Sequence, residues 1–414
     1  MMAAALVISM GIIFVAQLIL PSPQDIHTFY TWYQLAFERG IFHIYDWTSQ
    51  EVLIRYQEFS PNYPPFIFSL YPFAALLKSF GLWPSWPSVG ANLFFRIPLI
   101  LGQVFVCFAI FRKLKEKTPN LSNPWALILL FLNPAFLLAG PVWGQLNFLL
   151  WGTLALSGLE WDKDRPMASA VWAALGATIK PQFVMFLPLL GFLVVKKRSV
   201  AFASKWVATF LVGVVLFCSP FMLTSGLDCL AKGYIRLTGG QYGVADIGYN
   251  FWWTLFRGVS ILSSGEKFFG VPYAMVATLL GNGLVVIWGY LFCFKKFEMD
   301  WMALAAYTLL TLFCFLPGMN PLCLLFGLGF LSLLAIKNPN YRIPALLLSL
   351  IQCVNLGFNA LWSPNTRFYL ALPEPLCKLL GIACFLGVLW VLFVIVSQSI
   401  FEPLERTEMS QRTG

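Results

Sequence analysis

Long apolar runs, separated by short polar segments, recur along the whole chain. Each run is about 15 to 25 residues long, enough to cross a bilayer core of ~30 Å. Small clusters of basic residues stand between the runs, and one of them contains Arg112, Lys113, Lys115 and Lys117. Because cytoplasmic loops are rich in Lys and Arg, we place these clusters in the cytoplasm. The pattern predicts an all-α polytopic membrane protein with both termini inside.

The basic clusters divide the chain into about 12 predicted transmembrane helices. They are expected near residues 3–20, 91–111, 125–140, 145–160, 166–179, 183–195, 202–222, 271–294, 301–317, 320–336, 343–361 and 376–398. The first run has no basic segment before it and no small-residue cleavage site, so we interpret it as a retained helix. The chain is then one membrane domain, residues 1–414, with a cytoplasmic tail at 400–414.

Residues 21–90 are predicted to form one long external loop that carries amphipathic surface helices. The stretch from Ser22 to Asp25 has the pattern of a capping box, and Gly40 ends the helix that follows. A second amphipathic stretch covers about Ser49 to Phe59. The apolar segment from Pro64 to Phe80 is expected to lie on or dip into the membrane surface without crossing it. A crossing there would place the first basic cluster outside, against the charge rule.

The composition excludes a soluble domain. The chain is 59% hydrophobic, 17% aromatic and only 11% charged, with a mean hydropathy of +0.75, and a soluble surface needs far more charge. The net charge of +9 does not indicate a nucleic-acid partner, because the basic residues lie between apolar runs. Nine cysteines lie mostly inside apolar segments without CxxC or Cys/His spacing. We treat them as small core residues rather than disulfides or metal ligands.

The polar residues that are candidates for catalysis or binding fall near one side of the predicted membrane domain. Asp25 is predicted beyond the outer end of the first helix, and Arg96 about one turn inside the second. Gly144-Gln145-Leu146-Asn147 is predicted at the turn between helices three and four, and Lys180-Pro181-Gln182 at the break between helices five and six. Polar groups at this depth are costly and face a cavity or a partner. We therefore expect an outward-facing site at the membrane surface.

Five short motifs follow one another in a characteristic order. They are Tyr63-Pro64-Pro65, Asn133-Pro134, Gly144-Gln145 with Asn147, Lys180-Pro181, and Asn250-Phe251-Trp252. Together with an acidic residue early in a long external loop, this order of motifs resembles that of the GT-C superfamily of membrane glycosyltransferases. It resembles specifically the polyprenyl- or dolichyl-phosphate-sugar-dependent, mannosyltransferase-like members. The resemblance covers about residues 1–330.

One element of the resembling family is different here. Many relatives carry a Met-His-Glu-Arg-Tyr element after a late helix, whose His and Arg are expected near the carrier phosphate. The matching stretch reads Met319-Asn320-Pro321-Leu322-Cys323, without the His and the Arg. A catalytically degenerate relative that binds lipid carriers is therefore an alternative.

The resemblance implies an inverting, metal-independent transferase without a cofactor. It would move a hexose, with mannose expected, from a polyprenyl-phosphate donor to a lipid-linked or surface glycan acceptor on the outer face of a bacterial inner membrane. Asp25 would be the catalytic base; the donor- and substrate-binding residues would be Arg96, Gln145, Asn147, Lys180, Tyr63, Asn250 and His27. A lipid phosphate is already a good leaving group, so one base and one phosphate-binding charge suffice. Glycoside hydrolysis, by contrast, uses two carboxylates.

Each candidate also has a structural interpretation. Asp25 would only cap its helix. Arg96 and Lys180 would extend to the headgroups, and the two amides, Gln145 and Asn147, would satisfy backbone groups at a helix end. Tyr63 would shape a turn; Asn250 and Trp252 would pack a loop; His27 would be a surface or acceptor-side residue. The rival function is a secondary transporter, although no two-fold repeat is evident and the first external loop is long.

Overall fold

The computed structural model describes residues 7–8, 11, 24–56, 61, 63–119, 123–196, 199–232, 267–294, 300–316, 319, 321–362 and 374–413. It is 87% helical, so the all-α prediction is confirmed. Among the described residues the strands are β1 (Lys267–Phe268) and β2 (Val271–Pro272), which pair antiparallel ahead of a long helix.

The helices follow one another with short connections. They are α1 (Gln24–Arg39), α2 (Ser49–Tyr56), α3 (Tyr71–Ser79), α4 (Val89–Lys117), α5 (Asn123–Ala126), α6 (Pro134–Leu137), α7 (Asn147–Trp161), α8 (Pro166–Ile179), α9 (Leu187–Lys196), α10 (Val200–Ser225), α11 (Asp228–Leu230), α12 (Tyr273–Phe294), α13 (Trp301–Phe315), α14 (Leu324–Lys337), α15 (Arg342–Trp362) and α16 (Glu374–Thr413). Short 3-10 turns are Ile41–Asp46, Pro65–Leu70, Pro181–Phe186, Pro321–Cys323 and Pro339–Tyr341, and π-type turns are Leu127–Phe131 and Leu138–Val142.

Five helical segments in the described part of the chain are long and apolar enough to cross a membrane. They are Val89–Lys117, Pro124–Val142, Val200–Ser225, Tyr273–Phe294 and Leu379–Gln398. Shorter apolar helices are Pro166–Ile179, Pro181–Lys196, Trp301–Phe315 and Leu324–Lys337. The chain is thus a multi-pass membrane protein, as predicted, whereas the count of 12 crossings stays a prediction. Proline is one reason for the short segments, since it removes a backbone donor and interrupts helices at Pro134 and Pro181.

The helices of the first loop form close to the predicted positions. α1 begins at Gln24 and ends at Arg39. Gly40 follows it with a backbone φ of 89°, which residues that carry a side chain rarely adopt. α2 starts at Ser49 and runs to Tyr56, within the predicted amphipathic stretch. The apolar segment Pro64–Phe80 divides into a six-residue 3-10 turn and the nine-residue α3. Each piece is too short to span a bilayer, and the external position of the loop stays a prediction.

Small residues let the central helices approach one another closely. A Cβ added at Gly152 of α7 would overlap Val106 of α4, and one added at Gly329 of α14 would overlap the Trp151 ring of α7. Close backbone approach through small residues is typical of membrane helix packing. The start of α7 is therefore held firmly between α4 and α14, and this end of α7 carries the candidate site.

Candidate functional site

Lys180 lies at the break between α8 and the following 3-10 turn. Its backbone is extended, with φ −156° and ψ 144°, and Pro181 follows it at the start of the turn. Only 1% of the residue is exposed. Its Nζ donates to Asn147 Oδ1 at 2.6 Å and also to Gln145 Oε1. The ammonium thus ends inside the protein, on two amide oxygens, rather than at the headgroups.

An aromatic ring and a carboxylate stand near the same ammonium. Lys180 Nζ lies 5.1 Å from the centroid of the Tyr63 ring, within the range of a cation–π interaction. Asp25 lies close enough for a favourable Coulombic interaction with Lys180. Asp25 is half-buried in the first turn of α1. The structure therefore brings together two opposite charges whose positions differ by 155 in the sequence.

The face of α1 that carries Asp25 packs on Tyr63. Residues at positions i, i+4 and i+7 lie on one side of a helix, and here they are Asp25, Phe29 and Trp32. The ring centroids of Phe29 and Trp32 lie 5.7 and 5.5 Å from that of Tyr63. Tyr63 is held in turn by Tyr45, whose hydroxyl donates to the Tyr63 carbonyl oxygen at 2.6 Å. Tyr63 therefore packs between α1 and Lys180.

Gly144 fixes the position of the loop that carries the two amide side chains. Its φ is +90°, and a Cβ there would overlap Ile26 Cγ1 of α1. The Gly144 N–H donates to Gly140 O at 2.6 Å, and the Gln145 N–H donates to Ala139 O at 3.1 Å. Only glycine combines this backbone conformation with such close contact. The Gly144–Asn147 loop is thus packed directly against the start of α1.

The segment Pro321–Cys323 also contacts the cluster, although none of its residues was among the predicted site residues. Asn147 Nδ2 donates to Leu322 O at 3.3 Å, so one amide holds both Lys180 and this segment. Cys323, which follows Leu322, is buried. The available signal was its place in the motif order, since this is the stretch in which the resembling family carries His and Arg.

Arg96 lies beside the cluster but makes a different contact. It sits two turns inside α4, rather than the one turn predicted, because α4 begins at Val89. The residue is 0% exposed, and its Nη2 donates to Val142 O at 3.2 Å. Its guanidinium therefore reaches the end of the Pro124–Val142 segment.

His27, another predicted site residue, lies away from the cluster. The His27 ring packs against Trp86 at a centroid distance of 5.1 Å. Positions 25 and 27 are roughly 200° apart around a helix, so His27 and Asp25 project from different sides of α1. Asn250 and Trp252 lie outside the described residues.

An apolar groove begins beside the polar cluster. Its volume is about 280 Å³, and its walls come from α4, α7, α8, α1 and the 3-10 turn Pro65–Leu70. Phe29, Leu146 and Ile179 line it. Leu146 stands between the two amide residues, Ile179 directly precedes Lys180, and Phe29 is one turn from Asp25. Lys180 and Asp25 do not themselves line the groove, so this surface, which suits a hydrocarbon chain, neighbours the polar cluster through the three adjoining residues.

Within the described ranges, no group of three or more His, Cys, Asp or Glu side chains is arranged to hold a metal ion. Metal independence stays a prediction. No protein-family model and no curated protein matches the sequence.

Proposed function

We propose that the protein is a GT-C-type membrane glycosyltransferase. It transfers a hexose, with mannose expected, from a polyprenyl-phosphate donor to a lipid-linked or surface glycan acceptor. The reaction takes place at the outer face of a bacterial inner membrane. The observation that carries the proposal is the buried Lys180 ammonium, which is held on two amide oxygens within Coulombic range of Asp25 and close to an apolar groove.

Lys180 suits the binding of a phosphate. An ammonium has three donors, and two of them are used by Gln145 and Asn147. The two amides fix its direction and leave a donor for a phosphate oxygen. In a site with little water, such a fixed charge stabilises the negative charge that develops on a leaving phosphate. Lys180 would thus replace the His and Arg that the resembling family uses.

Asp25 suits the role of the base. The acceptor hydroxyl oxygen attacks the anomeric carbon from the side opposite the phosphate, and its proton passes to the Asp25 carboxylate. The bond between the anomeric carbon and the phosphate oxygen breaks, and the lipid phosphate leaves with the electron pair. One displacement inverts the anomeric configuration. No general acid is needed, because the phosphate is a stable anion.

The apolar groove suits the chain of the donor. A cavity of about 150 Å³ binds benzene in another protein. By that scale, the groove of about 280 Å³ accepts roughly a dozen carbons, and the rest of a longer chain would lie in the bilayer. A ligand with an anionic head beside Lys180 and a hydrocarbon tail along Leu146 and Ile179 matches both parts of the site.

A transporter is the second candidate, favoured by the interrupted segment Pro124–Val142. It contains two π-type turns and Pro141, and broken helices at polar sites occur in secondary transporters. The two functions differ in their products, because only a transferase forms a new glycosidic bond.

The test uses the purified protein in liposomes with radiolabelled polyprenyl-phosphate mannose and a bacterial glycolipid extract. We expect labelled glycolipid with an inverted anomeric linkage. Donor binding without product would support the degenerate relative. Movement of the labelled donor across the bilayer without any new glycosidic bond would support the transporter.

A further inference from the structure

The end of the interrupted segment Pro124–Val142 leaves carbonyl groups that need donors. The last carbonyls of a helix have no partner within it. Leu138 O accepts from the Trp143 N–H at 2.9 Å, and Ala139 O and Gly140 O accept from the loop that follows. Val142 O accepts from Arg96 Nη2 at 3.2 Å. A cation at this position also interacts favourably with the negative end of the helix dipole.

Arg96 belongs to a buried polar face of α4. Asn92, Arg96 and Gln103 are 1%, 0% and 2% exposed, and their spacing places them on one side of the helix. A Cβ added at Gly140 would lie 3.1 Å from Gln103 Oε1, so this face runs against the interrupted segment. A charge inside a membrane protein is costly unless it is used. Here the guanidinium supports a helix end that precedes Gly144 by two residues.

We propose that Arg96 is a positioning residue that acts through the Gly144–Asn147 loop. Its bond to Val142 O fixes the end of the interrupted segment. The loop that follows carries Gln145 and Asn147, which direct the Lys180 ammonium. The effect of Arg96 on turnover rests on the proposed function, whereas its effect on the loop does not.

This role differs from direct binding of the donor phosphate. A guanidinium that binds phosphate directly would change donor binding whether or not the Gln145 side chain is present. A guanidinium that holds the loop acts only through the amides that direct Lys180, so its removal has little further effect once Gln145 is truncated. Lys has a single ammonium in place of the planar fork and so restores the bond to Val142 O only in part.

The first test is independent of activity. Amide hydrogen exchange is measured in the detergent-solubilised protein and in Arg96→Met and Arg96→Lys variants. We expect the Gly144 and Gln145 amides to exchange about tenfold or more faster in Arg96→Met, with an intermediate effect in Arg96→Lys. Amides in the core of α13 serve as the control and should be unchanged. Unchanged exchange at Gly144 and Gln145 overturns the inference, even if the protein transfers no hexose.

The second test is a double-mutant cycle of Arg96→Met with Gln145→Ala, measured as kcat. We expect Arg96→Met to lower kcat about tenfold or more, since a buried charged contact is lost. The two losses should combine to less than their product, because both act through the same loop. Donor KM should rise no more than in Gln145→Ala, because both changes affect donor binding only through the direction of Lys180. Multiplicative losses, or a donor KM raised above that of Gln145→Ala, contradict the inference. If Arg96→Met does not fold, the Arg96→Lys cycle gives the same comparison.

Discussion

The Lys180 ammonium donates a 2.6 Å hydrogen bond to Asn147 Oδ1, although 33 residues separate them in the sequence. Asn147 also donates to Leu322 O at 3.3 Å. One amide thus joins the break after α8, the start of α7 and the turn before α14. Lys180 is directed by elements from distant parts of the chain, which is what a preorganised phosphate site requires.

Removal of the Lys180 charge should weaken donor binding. Charge-assisted contacts to phosphate are worth roughly 1.5–3 kcal/mol, so Lys180→Ala should raise the donor KM about tenfold or more. The acceptor KM should change much less. The control is Lys163→Ala, because Lys163 pairs with Glu116 away from the cluster. An unchanged donor KM in the Lys180→Ala variant would show that Lys180 does not bind the donor.

Gly144→Ala should damage the site through the backbone. The new Cβ meets Ile26, and alanine at φ +90° is strained, so we expect a loss of about 1–2 kcal/mol or more in stability. The loop should also move away from α1 and lower kcat. Thermal unfolding in detergent and steady-state kinetics measure both effects. The control is Gly191→Ala in α9, where a Cβ meets nothing within 4 Å. Equal behaviour of the two variants would contradict the packing argument.

The orientation is tested by cysteine labelling with a membrane-impermeant reagent. Ser85 is exposed in the predicted external loop, and Lys115 is exposed in the first basic cluster. We expect Ser85→Cys to react from outside intact cells and Lys115→Cys to react only after the cells are opened. Reaction of Lys115→Cys in intact cells would reverse the orientation and the helix count.

The carboxylate of Glu51 should make stability depend on pH in acid. The Thr48 backbone N–H donates to it at 2.8 Å, and Arg39 and the Thr48 hydroxyl also donate to it, which lowers its pKa to about 2. Because the folded state holds the carboxylate ionised, its contribution is complete above about pH 5 and is lost as pH falls towards 2. The unfolding temperature of Glu51→Gln should lie below that of the wild type at pH 7. The difference should shrink between about pH 4.5 and 2; a constant difference would contradict this assignment.

Much of the cluster was predictable because polar motifs mark the ends of apolar runs. Gln145, Asn147 and Lys180 stand at such ends, and Asp25 follows the first run. Ends that are predicted on one side of a membrane share one surface, so their approach was expected from the predicted topology. Their chemical roles stay predictions, since proximity alone does not define a reaction.

Other features were not accessible from the sequence. The direction of Arg96 depends on the rotation of α4 against the interrupted segment, and no motif reports it. The contact of Asn147 with Leu322 joins residues 175 apart in the sequence. The number of crossings is obscured because prolines divide apolar runs into pieces shorter than a bilayer.

The most direct test of the account is the rate of hexose transfer by Asp25→Asn. This change keeps the size of the side chain and much of its capping ability, but removes its basicity. We predict normal expression and donor binding, with kcat lowered by roughly 10²–10⁴, the usual contribution of a general base. Glu38→Gln and Glu51→Gln are matched controls on the same loop, where these carboxylates pair with Arg55 and Arg39, and should keep most of the activity. Near-normal turnover in Asp25→Asn would contradict the account.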